Sequence, residues 1–254
     1  MSRVKGWQGR PSTSQLGQDE EQDDDEEHEK KEIFHAPNLT GVWWTGAMAW
    51  WTEHVVPRLA DAALKGRDVG EERAVACAPL YGRVLELGFG GGLNVRWYPD
   101  AVESVHAVEP SDVGWALSER RRARATIPVE RRGLDGQRLD EASGSYDCVL
   151  STFTLCTIPD IERALSEVVR VLKPGGVFAF LEHGLSPEVG VARWQRRLEP
   201  LQRRCAGGCH LTRDVPAQVQ ASGLVIETIQ QHYLAGPSLG RALTYLTRGA
   251  ARAT

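Results

Sequence analysis

Short apolar runs alternate along the chain with longer stretches in which apolar residues recur at helical spacing. The runs expected to form strands cover residues 83–87, 104–108, 129–133, 146–152, 177–182, 224–228 and 243–247. Helices are expected at residues 93–98, 112–124, 160–171 and 215–221. Strands that alternate with helices are typical of an α/β fold. The pattern therefore predicts a doubly wound, mostly parallel sheet of about seven strands with helices on both faces.

The first part of the chain follows a different pattern. Residues 1–33 are polar and contain the run DEEQDDDEEHEKKE, so we expect a disordered acidic tail followed by one folded domain, residues 34–254. Residues 38–65 have helical spacing and carry tryptophans at positions 43, 44, 50 and 51, and Pro57 is expected to kink or divide this helix. We expect the tryptophans to pack the helix onto the sheet. Alternatively, some of them cover an apolar pocket or touch a membrane surface.

Charge and cysteine content narrow the class of protein. The net charge is −4, and much of the negative charge lies in the tail, so no nucleic-acid binding is expected. Five cysteines, an odd number, lie mostly inside apolar segments, as in a cytoplasmic protein with reduced thiols. Cys205, Cys209 and His210 could suggest a metal site, but the usual partner pair is missing and no metal is expected. No signal peptide is recognised, and the apolar stretch at 41–51 is too short to span a bilayer of roughly 30 Å.

The candidate functional residues are concentrated where the first predicted strand ends. The sequence VLELGFGGGLN, residues 84–94, places Glu86 before a loop that contains Gly88, Gly90 and Gly92. Glycines let a backbone turn sharply and approach a ligand closely. Glu109 ends the second strand, and a glycine loop with an acid about 20 residues later is the arrangement that holds a nucleoside by its ribose hydroxyls. Asp135 and Gly136 follow the third strand at the same predicted edge of the sheet.

The sequence resembles the class I S-adenosylmethionine-dependent methyltransferases, specifically the type 11 methyltransferase domain. The stretches that carry the resemblance are residues 84–94, VEPS at 108–111, SYDCVLSTFTLCTIPD at 145–160 and ALSEVVRVLKPGGVFAFLEH at 164–183. The resemblance implies a Rossmann-like sheet and S-adenosyl-L-methionine as cofactor. It implies that the three glycines and Glu86 contact the methionine part, that Glu109 binds the ribose, and that Asp135 and Gly136 meet the adenine. It also places Ser151, Thr152 and Phe153 beneath the sulfonium.

Residues 180–214 are similar to the alkyl thiol methyltransferases, through Glu182-His183 and the stretch Gly208–Arg213. This similarity implies a small thiol as the methyl acceptor. A phospholipid amine or a hydroxyl group is the alternative acceptor. The animal members of that group have an apolar N-terminal anchor where this chain has its acidic tail, so at most a peripheral contact with a membrane is expected.

A thiol acceptor must lose a proton, and its pKa of roughly 8.5 leaves little thiolate at neutral pH. His183, at the end of the fifth predicted strand, is the first candidate to take that proton, and His210 is the second. Trp194, with Leu198 and Leu201, is expected to form an apolar lid over the acceptor or simply to pack against the helix that follows this segment. Two other hypotheses are a nicotinamide-dependent oxidoreductase, which the glycine spacing disfavours, and a catalytically silent cofactor-binding subunit. The sequence gives no expectation for the oligomeric state.

Overall fold

The computed structural model describes residues 48–236 and 240–254. The acidic tail predicted at residues 1–33, and the tryptophans at positions 43 and 44, lie outside the described residues. The described part contains a seven-stranded sheet with the order β3-β2-β1-β4-β5-β7-β6. The strands are β1 Gly82–Leu87, β2 Val102–Val108, β3 Val129–Gly133, β4 Tyr146–Thr152, β5 Leu172–His183, β6 Val225–Tyr233 and β7 Tyr245–Arg252.

The sheet is mostly parallel, because only β7 runs antiparallel to its two neighbours, β5 and β6. The helices are α1 Val56–Leu64, α2 Arg67–Cys77, α3 Asp112–Leu117, α4 Glu119–Arg122, α5 Ile161–Val171, α6 Val189–Cys205, α7 Val215–Ala221 and α8 Arg241–Thr244. A π-helical turn, Trp51–Val55, precedes α1, and a 3-10 turn, Val95–Trp97, follows the glycine loop. The predicted doubly wound fold is confirmed.

Alternate residues of the strands enter two separate cores, one on each face of the sheet. Leu85 and Leu87 pack with Val168 of α5 and Val219 of α7. Val84 of the same strand packs on the opposite face with Cys77 of α2 and with other apolar residues of the strands. Successive side chains of a strand point to opposite faces, so a strand that is apolar throughout can bury both. This explains why the central strands read as continuous apolar runs.

Several predicted boundaries are wrong. The helix expected at 112–124 is divided at Ser118, whose hydroxyl donates to the carbonyl oxygen of Trp115 (2.6 Å). The last strand lies at Tyr245–Arg252 rather than 243–247, because residues 241–244 form α8 and the small residues 249–251 fit between β5 and β6. Asp214 caps α7, and its carboxylate accepts from the amide of Ala217 (3.2 Å). Asp160 caps α5 in the same way, since it accepts from the amide of Arg163 (3.0 Å).

Besides α8, two helices were not predicted, and both matter for the site. The sequence of α2 is rich in charge, yet Val69, Arg73, Ala76 and Cys77 share one buried face. The helix α6 contains Pro200 and five arginines, which hide its helical spacing. Trp50 is exposed, so it does not pack on the sheet as expected. Among the described helices, none has the length and apolar character needed to cross a membrane.

Candidate active site

The glycine loop after β1 depends on backbone conformations that other residues rarely adopt. Gly88, Gly90 and Gly92 have φ values of 67°, 53° and 72°. At Gly88 there is also no room for a side chain, because a Cβ there would lie 1.9 Å from Oγ1 of Thr154. The loop therefore runs close to the segment that follows β4. The order of the strands reverses between β1 and β4, and ligands of doubly wound sheets bind in the crevice at such a reversal.

Glu109 lies directly against this loop. Its side chain is buried, and its two carboxylate oxygens accept from the amide of Gly90 (2.5 Å) and from the amide of Ser111 (2.7 Å). Burial raises the pKa of Glu109, whereas the two backbone hydrogen bonds lower it. Each carboxylate oxygen retains a further lone pair. The carboxylate is therefore held in position at the edge of the crevice by backbone donors that do not use its full accepting capacity.

Glu86 occupies a different environment, beneath the loop. It is completely buried and accepts from the side-chain amide of Asn94 (2.9 Å) and from the hydroxyl of Tyr98. Burial raises the pKa of Glu86 to about 7, although the hydrogen bonds from Tyr98 and Asn94 oppose this shift. Arg73 of α2 donates to the side-chain oxygen of Asn94 (2.8 Å), and it donates to Oγ1 of Thr152 at the same distance. Glu86 therefore belongs to a buried network that connects three elements.

Arg73 is a candidate functional residue that sequence reasoning missed. Its guanidinium is buried, and its Nε has no hydrogen-bond partner among the described residues. A buried cation that is incompletely paired is costly, which favours an anionic group nearby. The position could have been recognised from the apolar face of α2, on which a single arginine lies between Val69 and Ala76.

The last residues of β4 and Phe153, which follows them, lie beside the crevice. Ser151 donates its hydroxyl to Glu182 (2.7 Å), and the hydroxyl oxygen of Thr152 accepts from Asn94 (2.9 Å). Phe153 has a φ of 55°, which among the described residues is the only positive value outside glycine. Such a conformation costs about 1–3 kcal/mol and is concentrated at functional sites. Its ring centroid lies 5.2 Å from the guanidinium carbon of Arg73.

Asp135 and Gly136 lie after β3, near the same edge of the sheet. Asp135 accepts from the backbone amide of Gln137 (2.9 Å) and from its side chain (3.0 Å), and these bonds lower the pKa of the carboxyl. Gly136 is adjacent to Ile158 and Leu87, which an added Cβ would contact at 3.3 Å and 3.6 Å. Asp135 is exposed, so it is available to a ligand without prior desolvation.

His183 lies beside two cysteines from other parts of the chain. Its Nδ1 is 3.8 Å from Sγ of Cys156 and 3.7 Å from Sγ of Cys209, and the two sulfur atoms are 3.7 Å apart. The hydrogen bond between the two sulfur atoms lowers the pKa of Cys209, against the effect of burial and with a further contribution from His183. Burial lowers the pKa of His183, but the hydrogen bond and charge of Cys209 outweigh it and raise the pKa. We call these three residues the Cys-His-Cys cluster.

The remaining predicted residues lie on or beside α6. Trp194 is 57% exposed and stacks with Arg197, whose guanidinium carbon is 5.5 Å from the ring centroid. The ring of His210 faces Glu199, with Nδ1 3.2 Å from Oε1, and not the cluster. The structure therefore brings Cys209 together with Cys156 and His183, rather than with Cys205 and His210 as the sequence suggested.

A sheet of this order, with a glycine loop at its reversal and a carboxylate at the end of the neighbouring strand, defines the class I fold of S-adenosylmethionine-dependent methyltransferases. A methyltransferase domain family matches residues 85–180. Residues 85–180 are therefore similar to a methyltransferase domain, and the sheet has the fold of this class. A solved S-adenosylmethionine-dependent methyltransferase from Mesorhizobium loti superposes with a TM-score of 0.58 at 20% identity, over 74% of this chain and 99% of that one.

Two curated relatives suggest different acceptors. Thiol S-methyltransferase TMT1B of Rattus norvegicus is 36% identical over 137 residues, which cover 52% of this chain and 55% of the relative. Phosphatidylethanolamine N-methyltransferase of Cereibacter sphaeroides is 32% identical over 109 residues, which cover 40% of this chain and 51% of that protein. The chain thus spans about half the length of the curated relatives that it matches.

Proposed function

We propose that the protein transfers the methyl group of S-adenosyl-L-methionine to a small-molecule thiol. The observation that carries the proposal is the position of Glu109, held at the crevice by the amide of Gly90 with oxygen lone pairs to spare. A carboxylate in this position can accept hydrogen bonds from two adjacent ribose hydroxyls. The same loop amides favour the close approach of a polar ligand.

The other cofactor contacts in this proposal follow the edge of the sheet. Asp135 and the backbone of Gly136 meet the adenine, beyond the ribose at Glu109. Gly88 and Gly92 give the methionine part room beside the loop. Glu86 acts on this end through the network with Arg73, and the incompletely paired Arg73 attracts the methionine carboxylate.

Beneath the sulfonium we place Ser151, Thr152 and Phe153. The strained backbone of Phe153 fixes its ring between Arg73 and His183, whose ring centroid is 5.1 Å away. A rigid floor of this kind serves an in-line displacement, because the acceptor, the methyl carbon and the leaving sulfur must be aligned.

The preference for a thiol rests on the similarity to thiol S-methyltransferase TMT1B and on the Cys-His-Cys cluster next to Phe153. We place the loss of the acceptor proton at His183 together with the two sulfur atoms beside it. Trp194 and His210 are the proposed contacts to the acceptor, at the side of the crevice formed by α6. The five cysteines are free, in keeping with the proposed cytoplasmic location.

A cleft of about 660 Å³ opens next to Ser111, whose backbone amide donates to Glu109. It is lined by residues 48, 49, 52, 53, 110, 111 and 204. A cleft of this size can hold a small molecule. The proposed partners are accordingly a small-molecule acceptor, no nucleic acid and at most a peripheral membrane contact.

The test is a methyl-transfer assay with three kinds of acceptor, in which the release of S-adenosylhomocysteine is measured. We expect an alkyl thiol to react, and the alcohol of the same carbon skeleton to react at least about a hundredfold more slowly, because oxygen stays protonated at neutral pH. Preferential methylation of an ethanolamine phospholipid would instead support the second candidate, an N-methyltransferase like the Cereibacter sphaeroides relative. Cofactor binding without methylation of any acceptor would support a silent subunit.

A further inference from the structure

The Cys-His-Cys cluster has the composition of a metal site. Its three donor atoms come from the loop after β4, the end of β5 and the loop after α6, and all lie within 4.8 Å of one another. Two thiolates and one imidazole are the ligands that zinc prefers. The sequence spacing hides this set, because Cys156 and Cys209 are 53 residues apart.

The distances agree with a tetrahedral ion. Zinc lies about 2.3 Å from sulfur and about 2.0–2.1 Å from nitrogen, which makes the edges of the tetrahedron about 3.8 Å between sulfurs and about 3.6 Å between sulfur and nitrogen. The corresponding separations here are 3.7 Å between the sulfurs, and 3.7 Å and 3.8 Å from the sulfurs to Nδ1 of His183. One ion can therefore contact all three atoms with shifts of a few tenths of an ångström. A disulfide would require the sulfurs to approach to about 2.05 Å, and both cysteines are free.

The surrounding residues hold the donors in this arrangement. The buried carboxylate of Glu182 accepts from the amides of Thr154 (3.1 Å), Leu155 (3.0 Å) and Cys156 (3.2 Å), which fixes the first cysteine loop. The two cysteine loops are joined directly, because the amide of His210 donates to the carbonyl oxygen of Cys156 (2.7 Å).

We propose that Cys156, His183 and Cys209 bind one zinc ion, and that the acceptor thiol occupies its fourth coordination position. Within residues 48–236 and 240–254, no fourth His, Cys, Asp or Glu joins the group. Three protein ligands with one exchangeable position are typical of catalytic zinc, whereas structural zinc has four protein ligands. This inference rests on the proposed function for the identity of the acceptor, but not for the metal site itself.

The location gives the metal a role in the reaction. The His183 ring lies next to Phe153, and the loop that carries Cys156 passes beside Gly88, where we place the methionine part of the cofactor. A thiol bound to zinc releases its proton to water and becomes a thiolate. The thiolate sulfur forms a bond to the methyl carbon, the bond from that carbon to the sulfonium breaks, and its electron pair stays on S-adenosylhomocysteine. The products are a neutral thioether and one proton. With zinc bound, His183 serves as a ligand, and water replaces it as the acceptor of the thiol proton.

The first experiment measures zinc in the purified full-length protein by mass spectrometry of the metal. We expect about one zinc per chain in the wild type. Cys156→Ser and Cys209→Ser should each weaken zinc binding by at least about a hundredfold. The matched control is Cys205→Ser, four residues from Cys209 but exposed and outside the cluster, and it should keep its zinc. Calorimetry with S-adenosylhomocysteine checks that each variant still folds and binds the cofactor.

The second experiment tests the fourth position with cobalt in place of zinc. Mercaptoethanol should change the visible spectrum of the cobalt protein, and ethylene glycol should leave it unchanged, because soft sulfur displaces water from such a metal more readily than a hydroxyl group does. The proposal is overturned if zinc-supplemented wild-type protein contains no metal, or if Cys205→Ser loses as much metal as Cys209→Ser.

The failure of this proposal can be distinguished from failure of the proposed function. Full thiol methylation by protein stripped of metal with a chelator would overturn the metal proposal and leave the thiol methyltransferase intact. Stoichiometric zinc that responds to mercaptoethanol, in a protein that methylates only amines, would leave the metal site intact and overturn the thiol assignment.

Discussion

The two acidic residues of the glycine-loop region differ in how they are held. Glu109 accepts from the backbone amides of Gly90 and Ser111 and lies at the surface of the crevice. Glu86 is completely buried and accepts from the side chains of Asn94 and Tyr98. A carboxylate held by backbone donors stays in a fixed position in which it can meet a ligand. A carboxylate held by side-chain donors instead connects the elements to which those side chains belong. We therefore assign direct ligand contact to Glu109 and an indirect role to Glu86.

At this scale we predict that Glu109→Ala weakens the binding of S-adenosylmethionine by well over tenfold. The variant loses a charged acceptor for two ribose hydroxyls, and hydrogen bonds to charged groups contribute about 1.5–3 kcal/mol each. Isothermal titration calorimetry gives the affinity. Asp112→Ala is the matched control. The Asp112 carboxylate is three residues from Glu109 and its side chain is 87% exposed, so this substitution should change the affinity less than about twofold. Equal affinity of the wild type and Glu109→Ala would rule out the ribose assignment.

At the level of secondary-structure elements, the helical segment before α2, residues 51–64, forms hydrogen bonds on both sides of the crevice. Asp61 of α1 forms a bidentate pair with Arg121 of α4 (2.6 Å and 3.1 Å), and Arg121 also donates to the carbonyl oxygen of Gly91 (2.6 Å). At the other end, the indole N–H of Trp51 donates to the carbonyl oxygen of Cys205, the last residue of α6 (3.0 Å). These contacts place the segment over the glycine loop, so its attachment should affect how long the cofactor stays bound.

We therefore predict that Asp61→Asn increases the dissociation rate of S-adenosylhomocysteine by about three- to thirtyfold. The bidentate pair is partly buried and supports the loop through Gly91, so its loss costs more than that of an exposed pair, about 1–2 kcal/mol. Stopped-flow fluorescence measures the rate. The control is Glu71→Gln, which removes the exposed pair between Arg67 and Glu71 on α2. The same rate in Asp61→Asn and Glu71→Gln would show that the segment does not hold the cofactor.

For the whole molecule, β7 joins the parallel part of the sheet to its edge strand β6. Gly249 lies at the middle of this strand, opposite Phe180 of β5 and Ile229 of β6. A Cβ at Gly249 would lie 2.6 Å from the carbonyl oxygen of Thr228 and 2.7 Å from the ring of Phe180. The backbone oxygen is part of the strand and cannot move without disturbing the sheet. The close packing at Gly249 therefore restricts how β5, β7 and β6 can assemble.

The prediction at this scale is that Gly249→Ala destabilises the fold by about 1–3 kcal/mol, the usual cost of overpacking. Gly190→Ala is the same substitution at a helical position with nothing within 4 Å of the added Cβ. It should leave the stability unchanged or raise it slightly, because alanine favours the helix. Denaturant unfolding followed by circular dichroism gives both values. Equal stability of the two variants would contradict the close contact at Gly249.

The sequence determined the order of the strands along the chain and the placement of the glycine loop and Glu109 at one edge of the sheet. These features are local: a buried strand is a run of adjacent apolar residues, and Gly88, Gly90 and Gly92 are near neighbours of the strand they follow. Glu109 could be recognised for the same reason, because a strand and a helix of ordinary length separate it from the loop by a predictable distance. The boundaries of β7 are harder to predict from the sequence, because its small residues give little hydrophobic signal. Their small size is required by the space between the neighbouring strands.

Only the tertiary structure decided which distant residues meet beside Phe153. Arg73 reaches Thr152, 79 residues later, and Cys156 meets Cys209, 53 residues later. The sequence grouped Cys209 with His210, its neighbour in the chain, but the backbone turns the ring of His210 toward Glu199 and the sulfur of Cys209 toward His183. Contacts of this kind depend on how the elements pack around the sheet and on the directions of individual side chains, which no local pattern along the chain encodes.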